Sequence, residues 1–306
     1  MATIGVFDGV HKGHQALIGR AVHLAKERGL PSVVLTFDPH PSEVVRPGSH
    51  PAQLTSLNRK AELVEQLGVD VFCVLPFTAE LSRVPADEFV HELLVERLHV
   101  AAVVVGENFT FGHMATGNVT LLRSLGHRFG FTTEGAEMIT VPRNGAGADE
   151  DMVFSSTYTR ACIDAGDVAA AAAALGRPHR LEGIVVRGDG RGRELGYPTA
   201  NLSTSRHAAV PADGVYACWF VHHAPPHGEP RRLRAAVSVG TNPTFSGRER
   251  RVEAFVLDLD EDLYGQRVAL DFVTRLRDME RYDSIDALVE QVGRDVRQTR
   301  ELLATD

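Results

Sequence analysis

Lysine is scarce in this chain of 306 residues. Of its 32 basic residues only Lys12, Lys26 and Lys60 are lysines, and none lies beyond residue 60. The lysine of the GxxxxGK[ST] pattern is essential to a Walker-type phosphate loop, so that loop is excluded from the rest of the chain. Any phosphate chemistry there must use arginine, backbone N–H groups or a metal ion.

Cysteine is also rare, and long apolar runs are absent. Cys73, Cys162 and Cys218 lie far apart and form no CxxC pair, so we expect reduced, buried thiols rather than a disulfide framework. No apolar run is long enough to span a bilayer and no secretory signal precedes the first apolar segment, which predicts a cytoplasmic protein. The formal net charge of −8 argues against non-specific binding to nucleic acid and favours small-molecule chemistry.

The most informative feature that is present lies at the start of the chain, where residues 5–14 read GVFDGVHKGH. An apolar strand from Ile4 to Phe7 is expected to enter a glycine-flanked turn that opens a helix. His11 and His14 then share one face of the first helical turn. Backbone N–H groups and the positive end of the helix favour a polyphosphate there. The arrangement is similar to the HxGH signature of nucleotidyltransferases that attack the α-phosphate of ATP.

Up to about residue 142, β-branched segments alternate with helical patterns. After the opening strand, strands are predicted at 32–37, 69–75, 100–105 and 137–141, and helices at 14–28, 58–67, 86–98 and 120–129. Such alternation is typical of a Rossmann-like parallel sheet covered on both faces, with ligands at the carboxyl ends of the strands. Residues 142–151, rich in polar residues, glycine and alanine, are interpreted as a mobile surface loop.

From residue 179 the hydrophobic period changes to two. Strands are predicted at 180–186, 214–222, 233–239, 251–259 and 267–274, with a final helix over 284–303. This pattern indicates a small antiparallel barrel or sandwich across which the helix packs. We therefore expect an α/β domain over 1–162, a helical joint over 163–178 and a β-rich domain over 179–306.

Eight ordered motifs resemble the prokaryotic bifunctional riboflavin kinase/FAD synthetase family over essentially the whole chain. They are GVFDGVHKGH (5–14), TFDPHP (36–41), VGENFTFG (105–112), FSSTYTR (154–160), RGRELGYPTANL (191–202), DGVYA (213–217), SVGTNPTF (238–245) and VEAFVLDLDEDLYG (252–265). The resemblance implies a nucleotidyltransferase α/β domain followed by a six-stranded antiparallel riboflavin-kinase barrel. It also implies that the second domain phosphorylates riboflavin to FMN with ATP. The first domain would then transfer AMP from ATP to FMN (FMN adenylyltransferase), giving FAD and pyrophosphate.

For the adenylyl site, the resemblance assigns the ATP phosphates and the transition-state charge to His11 and His14. The other implied ATP- and flavin-binding residues are Gly5, Phe7, Asp8, His40, Asn108, Ser155, Thr157 and Arg160. The arginine would bind the departing pyrophosphate. A structural alternative stays open for two of these residues. His40 also fits a turn histidine held between two prolines, and Ser155 also fits a plain helix cap.

For the kinase site, the glycine-rich segment before Pro198 superficially resembles a dinucleotide fingerprint. The proline stops any helix, so a loop whose backbone N–H groups cradle phosphates is the better interpretation. The expected ATP- and flavin-binding residues are Gly188, Gly190, Arg191, Gly192, Gly196, Thr199 and Asn201.

Thr199 and Asn201 lie two residues apart on one face of an extended segment, where both can offer an oxygen to Mg²⁺. A purely structural turn is the alternative for this pair. The resemblance adds Glu253 as the general base for the flavin hydroxyl, against the alternative of a solvated strand glutamate. The acidic residues of 258–262 lack the glycine and distal glutamate of a calcium loop and are interpreted as a polar turn.

Two other functions stay open from the sequence. The HxGH pattern alone also fits a nucleotidyltransferase for another phosphorylated alcohol, although the barrel motifs argue against it. Departures from the family pattern at His113, Met114 and Thr159 are compatible with a flavin-binding protein that has one inactive module. The implied partners are riboflavin, FMN, FAD and ATP, with neither nucleic acid nor membrane, and a homo-oligomer stays open.

Overall fold

The computed structural model describes residues 1–136, 140–141, 152–188, 191–222, 230–244 and 247–304. Internal contacts divide the chain into two units. The amino-terminal unit comprises Met1–Pro51 and Thr55–Ser156, and the carboxy-terminal unit comprises Ala52–Leu54 and Thr157–Asp306. None of the helices in the described ranges has the length and apolar character needed to cross a membrane.

The amino-terminal unit is built from alternating strands and helices. They are β1 (Ala2–Ile4), α1 (Lys12–Glu27), β2 (Val33–Asp38), α2 (Pro41–Val45), α3 (Leu57–Gln66), β3 (Val71–Pro76), α4 (Ala86–Phe89), β4 (Ala102–Gly106), β5 (Thr110–Phe111), β6 (Gly117–Asn118), α5 (Val119–Phe129), β7 (Thr132–Ala136), β8 (Thr140–Val141) and β9 (Met152–Val153). After α4 the chain continues as a π-helix over Val90–Arg97.

Five of these strands form one parallel sheet in the order β3–β2–β1–β4–β7. The chain adds strands on one side of β1 and then crosses to the other side, so the topological switch point lies between β1 and β4. Ligands of such sheets bind at the carboxyl ends of the strands beside this point. The sheet is apolar throughout its centre, with Ile4, Leu35 and Val103 almost fully buried.

Two predicted strands of this unit are wrong in position. The first strand ends at Ile4 rather than Phe7, because the residues after Gly5 enter a turn in which Phe7 has φ +50°. The fifth sheet strand is β7, five residues before the predicted segment 137–141; of that segment the structure describes only Thr140–Val141, which form β8 in a separate two-stranded sheet. As an edge strand, β7 needs little apolar character, and its sequence TTEGA gives no hydrophobic signal. The predicted loop over 142–151 lies outside the described residues.

The carboxy-terminal unit contains a closed barrel flanked by helices. Its elements, counting α6 from the boundary residue Ser156, are α6 (Ser156–Asp164), α7 (Val168–Leu175), β10 (His179–Val186), α8 (Arg191–Glu194), β11 (Ala200–Thr204), β12 (Gly214–His222), β13 (Arg231–Thr244), β14 (Gly247–Val256), β15 (Arg267–Arg277) and α9 (Ile285–Leu302). The strands close in the order β10–β11–β14–β13–β12–β15, and every neighbouring pair is antiparallel.

The barrel core holds large side chains such as Tyr216, Phe220 and Phe272, all fully buried. The predicted α/β domain, antiparallel barrel and final helix are therefore confirmed. The loop before Pro198 differs from expectation, since it contains the single helical turn α8. The proline lies four residues beyond that turn, so it limits the helix rather than preventing it.

Helices and a short remote segment complete the carboxy-terminal unit. Val168 of α7 belongs to the barrel core, and Leu54 packs in a second apolar cluster with Ile163 and Ala209. Gln53, the residue before Leu54, is held to the same unit by a backbone hydrogen bond. Its N–H donates to the His207 carbonyl at 2.6 Å. The unit thus uses residues from both halves of the sequence.

Candidate active sites

The turn that follows β1 has an unusual backbone. Phe7, Gly9 and Val10 have φ values of +50°, +82° and +39°. Residues with side chains adopt this region only at an energetic cost, and the surrounding structure must hold them there. Phe7 and Val10 are 2% and 1% exposed, so tight packing around the turn supplies part of that restraint.

Polar contacts supply another part of the restraint on this turn. The Gly9 N–H donates to Thr55 Oγ1 at 3.1 Å, and the Asp8 carboxylate accepts from the Thr55 N–H at 3.2 Å. Ser156 Oγ donates to the Asp8 carbonyl at 2.8 Å. Asp8, predicted to contact ligand, is therefore also one of the residues that fix this turn.

His11 and His14 come together where α1 begins. His11 is the N-cap, and its Nδ1 accepts a hydrogen bond from the His14 N–H at 3.4 Å. The two imidazole rings stack with centroids 3.6 Å apart, and the Phe7 ring meets His14 edge-on at 5.2 Å. A Cβ on Gly13 would lie 3.1 Å from His11 Cε1. The paired rings, at the positive end of a helix, form a binding surface suited to phosphate.

Gly5 and Asn108 lie beside the same switch point. A Cβ on Gly5 would lie 3.1 Å from the Phe7 ring, so this glycine leaves room for the buried phenyl group. Asn108 is exposed just beyond β4. Because β4 pairs with β1, both residues follow neighbouring carboxyl ends in the sheet.

His40 caps the short helix α2. Its Nδ1 accepts from the Ser42 N–H at 3.1 Å, and its ring lies 5.4 Å from that of His50. These contacts give His40 a structural role as a turn residue, and phosphate contact stays a prediction. Ser155 is half-buried immediately before α6.

The structure assigns Thr157 and Arg160 to the carboxy-terminal unit. Thr157 is exposed, whereas Arg160 is half-buried. Arg160 Nε donates to the Ala52 carbonyl at 2.6 Å, within that unit. A role of either residue in pyrophosphate binding stays a prediction.

Lys60, on α3, was missed by the sequence reasoning. Its side chain is buried, and Nζ donates to the Val6 carbonyl at 2.7 Å, just before the strained turn. Burial lowers the pKa of Lys60, while the carboxylates of Asp8 and Asp38 act in the opposite direction. The sequence did carry a signal for its burial. Lys60 lies three residues before Leu63 and four before Val64, which places it on the apolar face of the helix.

In the carboxy-terminal unit, three predicted residues lie on the outer face of the barrel. Ala200 and Ala254 are buried in the barrel core, and side chains alternate along a strand. Thr199, Asn201 and Glu253 consequently face outward. Asn201 and Glu253 are direct partners across β11 and β14.

Three cavities meet around these residues, with volumes of about 520, 830 and 420 Å³. Thr199 lines all three, and Glu253 lines the second and third. The third is mainly apolar and includes Leu195, Tyr197, Phe255 and Val292. Thr199 and Glu253 thus lie where the apolar third cavity adjoins the polar second one, and Thr199 also borders the first cavity, whose lining is mixed.

The glycine-rich loop packs directly on the proposed metal ligands. A Cβ on Gly188 would lie 2.8 Å from Asn201 Oδ1, and one on Gly192 would lie 3.3 Å from Thr199 Oγ1. Gly196 has φ +80°, a conformation that glycine adopts without strain. Arg191 begins α8, and Gly190 lies outside the described residues.

Glu280 is a second carboxylate that the sequence reasoning missed. It lines the same two cavities as Glu253 and accepts a hydrogen bond from the Tyr282 hydroxyl at 3.1 Å. It follows the end of β15 in a segment without periodicity, which left no signal in the sequence. Two carboxylates must therefore be compared as candidate bases.

The acidic segment after β14 makes contacts typical of a polar turn. Asp258 pairs with both terminal nitrogens of Arg300 at 2.8 and 2.9 Å. Asp262 accepts from the Tyr264 N–H at 2.9 Å. Among the described residues, no group of three or more His, Cys, Asp or Glu side chains is arranged to hold a metal ion.

Comparison with known proteins gives matches over both units. A family model described as FAD synthetase matches residues 1–145, and one described as riboflavin kinase matches residues 175–303. The bifunctional riboflavin kinase/FMN adenylyltransferase of Escherichia coli strain K12 is 33% identical over 299 residues, which cover 98% of this chain and 91% of that protein. The protein of the same name from Pseudomonas fluorescens is 36% identical over 305 residues, covering 99% and 93%.

A solved structure has the same overall fold. It is described as a macrolide-efflux protein from Streptococcus pneumoniae and is 32% identical to this chain. The alignment covers 98% of this chain and 93% of the other, with a TM-score of 0.85.

Proposed function

The chain belongs to the family of bifunctional riboflavin kinases/FMN adenylyltransferases, and we propose that each unit carries out one of the two reactions at the site described above. The carboxy-terminal unit transfers the γ-phosphoryl group of ATP to the primary hydroxyl of riboflavin, giving FMN and ADP. The amino-terminal unit transfers AMP from ATP to FMN, giving FAD and pyrophosphate. The kinase assignment is carried by the junction at Thr199 and Glu253, where an apolar recess adjoins a polar cleft.

For the kinase reaction, the flavin hydroxyl must lose a proton as it attacks phosphorus. Glu253 accepts that proton, and its position at the mouth of the apolar recess suits a flavin whose ring lies against Tyr197 and Phe255. The glycine-rich loop binds the ATP phosphates through backbone N–H groups. Alignment of hydroxyl and phosphate supplies much of the rate enhancement in such transfers.

The donors near Glu253 fit Mg²⁺. Thr199 and Asn201 offer a hydroxyl and an amide oxygen on one face, packed against glycine backbone, and Mg²⁺ prefers hard oxygen ligands and retains water. We propose that these two residues hold it. When bound, Mg²⁺ would neutralise charge on the phosphate oxygens.

For the adenylyl reaction, the attacking phosphate of FMN is already anionic and needs no general base. Neutralisation of charge and alignment with the α-phosphorus are the main requirements. His11 and His14 supply hydrogen bonds at the positive end of α1, where the triphosphate is expected. Asn108, beyond the neighbouring strand β4, is the proposed contact from the other side of the switch point.

A product assay tests both assignments. The purified chain is incubated with riboflavin, ATP and MgCl₂, and FMN and FAD are separated by chromatography. We expect FMN to appear first and FAD to follow. Bound flavin without turnover, or FMN that is never converted, would favour a protein with an inactive module. Failure to use FMN, with transfer to another phosphorylated alcohol, would favour the remaining alternative.

We predict that residues 157–306, the carboxy-terminal unit without its short segment Ala52–Leu54, retain kinase activity. A fragment of residues 157–306 should form FMN and no FAD. A shorter fragment, 176–306, loses buried Val168 and the hydrogen bond from the Ala212 N–H to the Ile163 carbonyl, 3.1 Å long. It should therefore unfold at a lower temperature, because a buried valine contributes roughly 1.5–3 kcal/mol and a hydrogen bond about 1 kcal/mol. Thermal unfolding and FMN formation are measured on both, and a folded 157–306 fragment without kinase activity would contradict the assignment.

Metal binding is tested by Thr199→Val, which removes one proposed ligand oxygen at nearly constant volume. The Mg²⁺ concentration for half-maximal FMN formation should rise at least roughly tenfold. Ser203→Ala is the matched control, since Ser203 is an exposed hydroxyl residue of β11 outside all three cavities. An unchanged Mg²⁺ requirement in Thr199→Val would remove Thr199 from the metal site.

A further inference from the structure

Lys60 places a positive charge inside the amino-terminal unit. The residue is 6% exposed, and among the described residues no carboxylate lies within 4.0 Å of its ammonium group. Nζ donates to the Val6 carbonyl at 2.7 Å and lies 3.5 Å from Thr36 Oγ1. Burying a cation without a carboxylate in contact costs free energy that the more distant Asp8 and Asp38 offset only in part, so its retention calls for a compensating role.

The group that Lys60 binds connects it to the histidine pair. Val6 immediately precedes the turn in which Phe7 and Val10 have positive φ, and His11 caps α1 directly after that turn. A shift of the Val6 carbonyl would therefore move the backbone that places both histidines. Thr36 Oγ1 also donates to this carbonyl, at 3.0 Å.

The second hydrogen bond is informative because it makes the lysine dispensable for satisfying the carbonyl. Thr36 alone would leave Val6 with a donor, and an apolar residue of similar length would fill the space without the cost of burying a charge. Burial lowers the pKa of Lys60, against the opposing influence of Asp8 and Asp38. The feature that only lysine supplies is positive charge at the carboxyl ends of β1 and β2, the edge where a polyphosphate is expected.

We propose that Lys60 is a positioning residue for AMP transfer. Its ammonium group fixes the Val6 carbonyl, and with it the strained turn and the two histidines, and its charge favours the bound triphosphate of ATP. This inference rests on the proposed adenylyltransferase function of the unit. A bound polyanion adds to the stabilisation of this buried cation that Asp8 and Asp38 supply only in part.

Three full-length variants test the proposal. Lys60→Met keeps length and removes charge, Lys60→Arg keeps charge, and Thr36→Val removes the uncharged donor to the same carbonyl. We expect Lys60→Met to lower kcat/KM for ATP in FAD formation roughly 10- to 100-fold, because small misplacements of reacting groups have effects of that size. Lys60→Arg should recover part of this loss, and Thr36→Val should lose less than Lys60→Met. The thermal midpoint of Lys60→Met should stay equal or rise.

The kinase reaction provides an internal control in each preparation, since FMN formation from riboflavin should be unchanged. The parent chain tests the proposed function, because it must form FAD from FMN. The role of Lys60 is tested by the ratio of kcat/KM for ATP between each variant and the parent chain. A parental rate in Lys60→Met would overturn the inference. So would a Lys60→Met chain that fails to fold or melts earlier, which would reveal a purely structural lysine. An arginine variant no better than methionine, or an equal loss in Thr36→Val, would exclude the role of charge.

Discussion

Glu253→Gln is expected to lower FMN formation from riboflavin by roughly two to four orders of magnitude, the usual contribution of a general base. Glutamine keeps the volume and most hydrogen bonds, so riboflavin and ATP should still bind. The loss should therefore fall on kcat rather than KM. Conversion of added FMN to FAD should be unchanged, because Glu253 belongs to the carboxy-terminal unit.

The matched control for this variant is Glu280→Gln. Glu280 lines the same two cavities and is also a carboxylate. Its replacement therefore shows how much activity is lost when a negative charge is removed from these cavities without removing the proposed base. We expect near-parental FMN formation in Glu280→Gln. The reverse result, a large loss at Glu280 and none at Glu253, would transfer the role of base to the carboxylate that the sequence reasoning missed.

His14→Ala is expected to lower FAD formation roughly 10²- to 10³-fold, the usual cost of removing one group that stabilises transition-state charge. His14 stacks on His11 at 3.6 Å between ring centroids and lies at the start of α1, where the phosphates are expected. FMN formation should be unchanged. Both rates are measured on one preparation, by chromatography of the flavin products.

His23→Ala provides the comparison for His14→Ala. His23 is an exposed histidine on the same helix and pairs only weakly with Glu27, at 3.2 Å. Its removal should leave both activities near the parental rate. Because His14 also contacts Phe7, the thermal midpoint of each variant is recorded. If His14→Ala folds normally and loses both activities equally, the histidine pair does not belong to the adenylyl site.

The sequence was informative where chemistry depends on local spacing. Thr199 and Asn201 lie on one face of a strand because β-structure repeats every two residues, and the same period separates Glu253 from the buried Ala254. The stacking of His11 on His14 follows from a cap residue and the third residue of its helix. In each case a few adjacent residues determine where the side chains lie.

The remaining features depend on contacts between distant residues. Phe7 reads as a strand residue, yet packing around the turn and the hydrogen bonds of Gly9 and Asp8 with Thr55 hold this region at positive φ. Strand β7 is recognisable only by its pairing with β4. Lys60 reaches the Val6 carbonyl across 54 positions of sequence. Neither composition nor periodicity carries such information.

Strand β12 is buried at every position and pairs along its length with β13 on one side and β15 on the other. Its backbone N–H groups can exchange with solvent deuterium only when the barrel opens as a whole. Exchange in this strand consequently reports the global unfolding free energy of the carboxy-terminal unit. A ligand that binds only the folded barrel must slow that exchange by the factor 1 + [L]/Kd. One buried strand thus gives a measure of flavin or nucleotide affinity that requires no turnover.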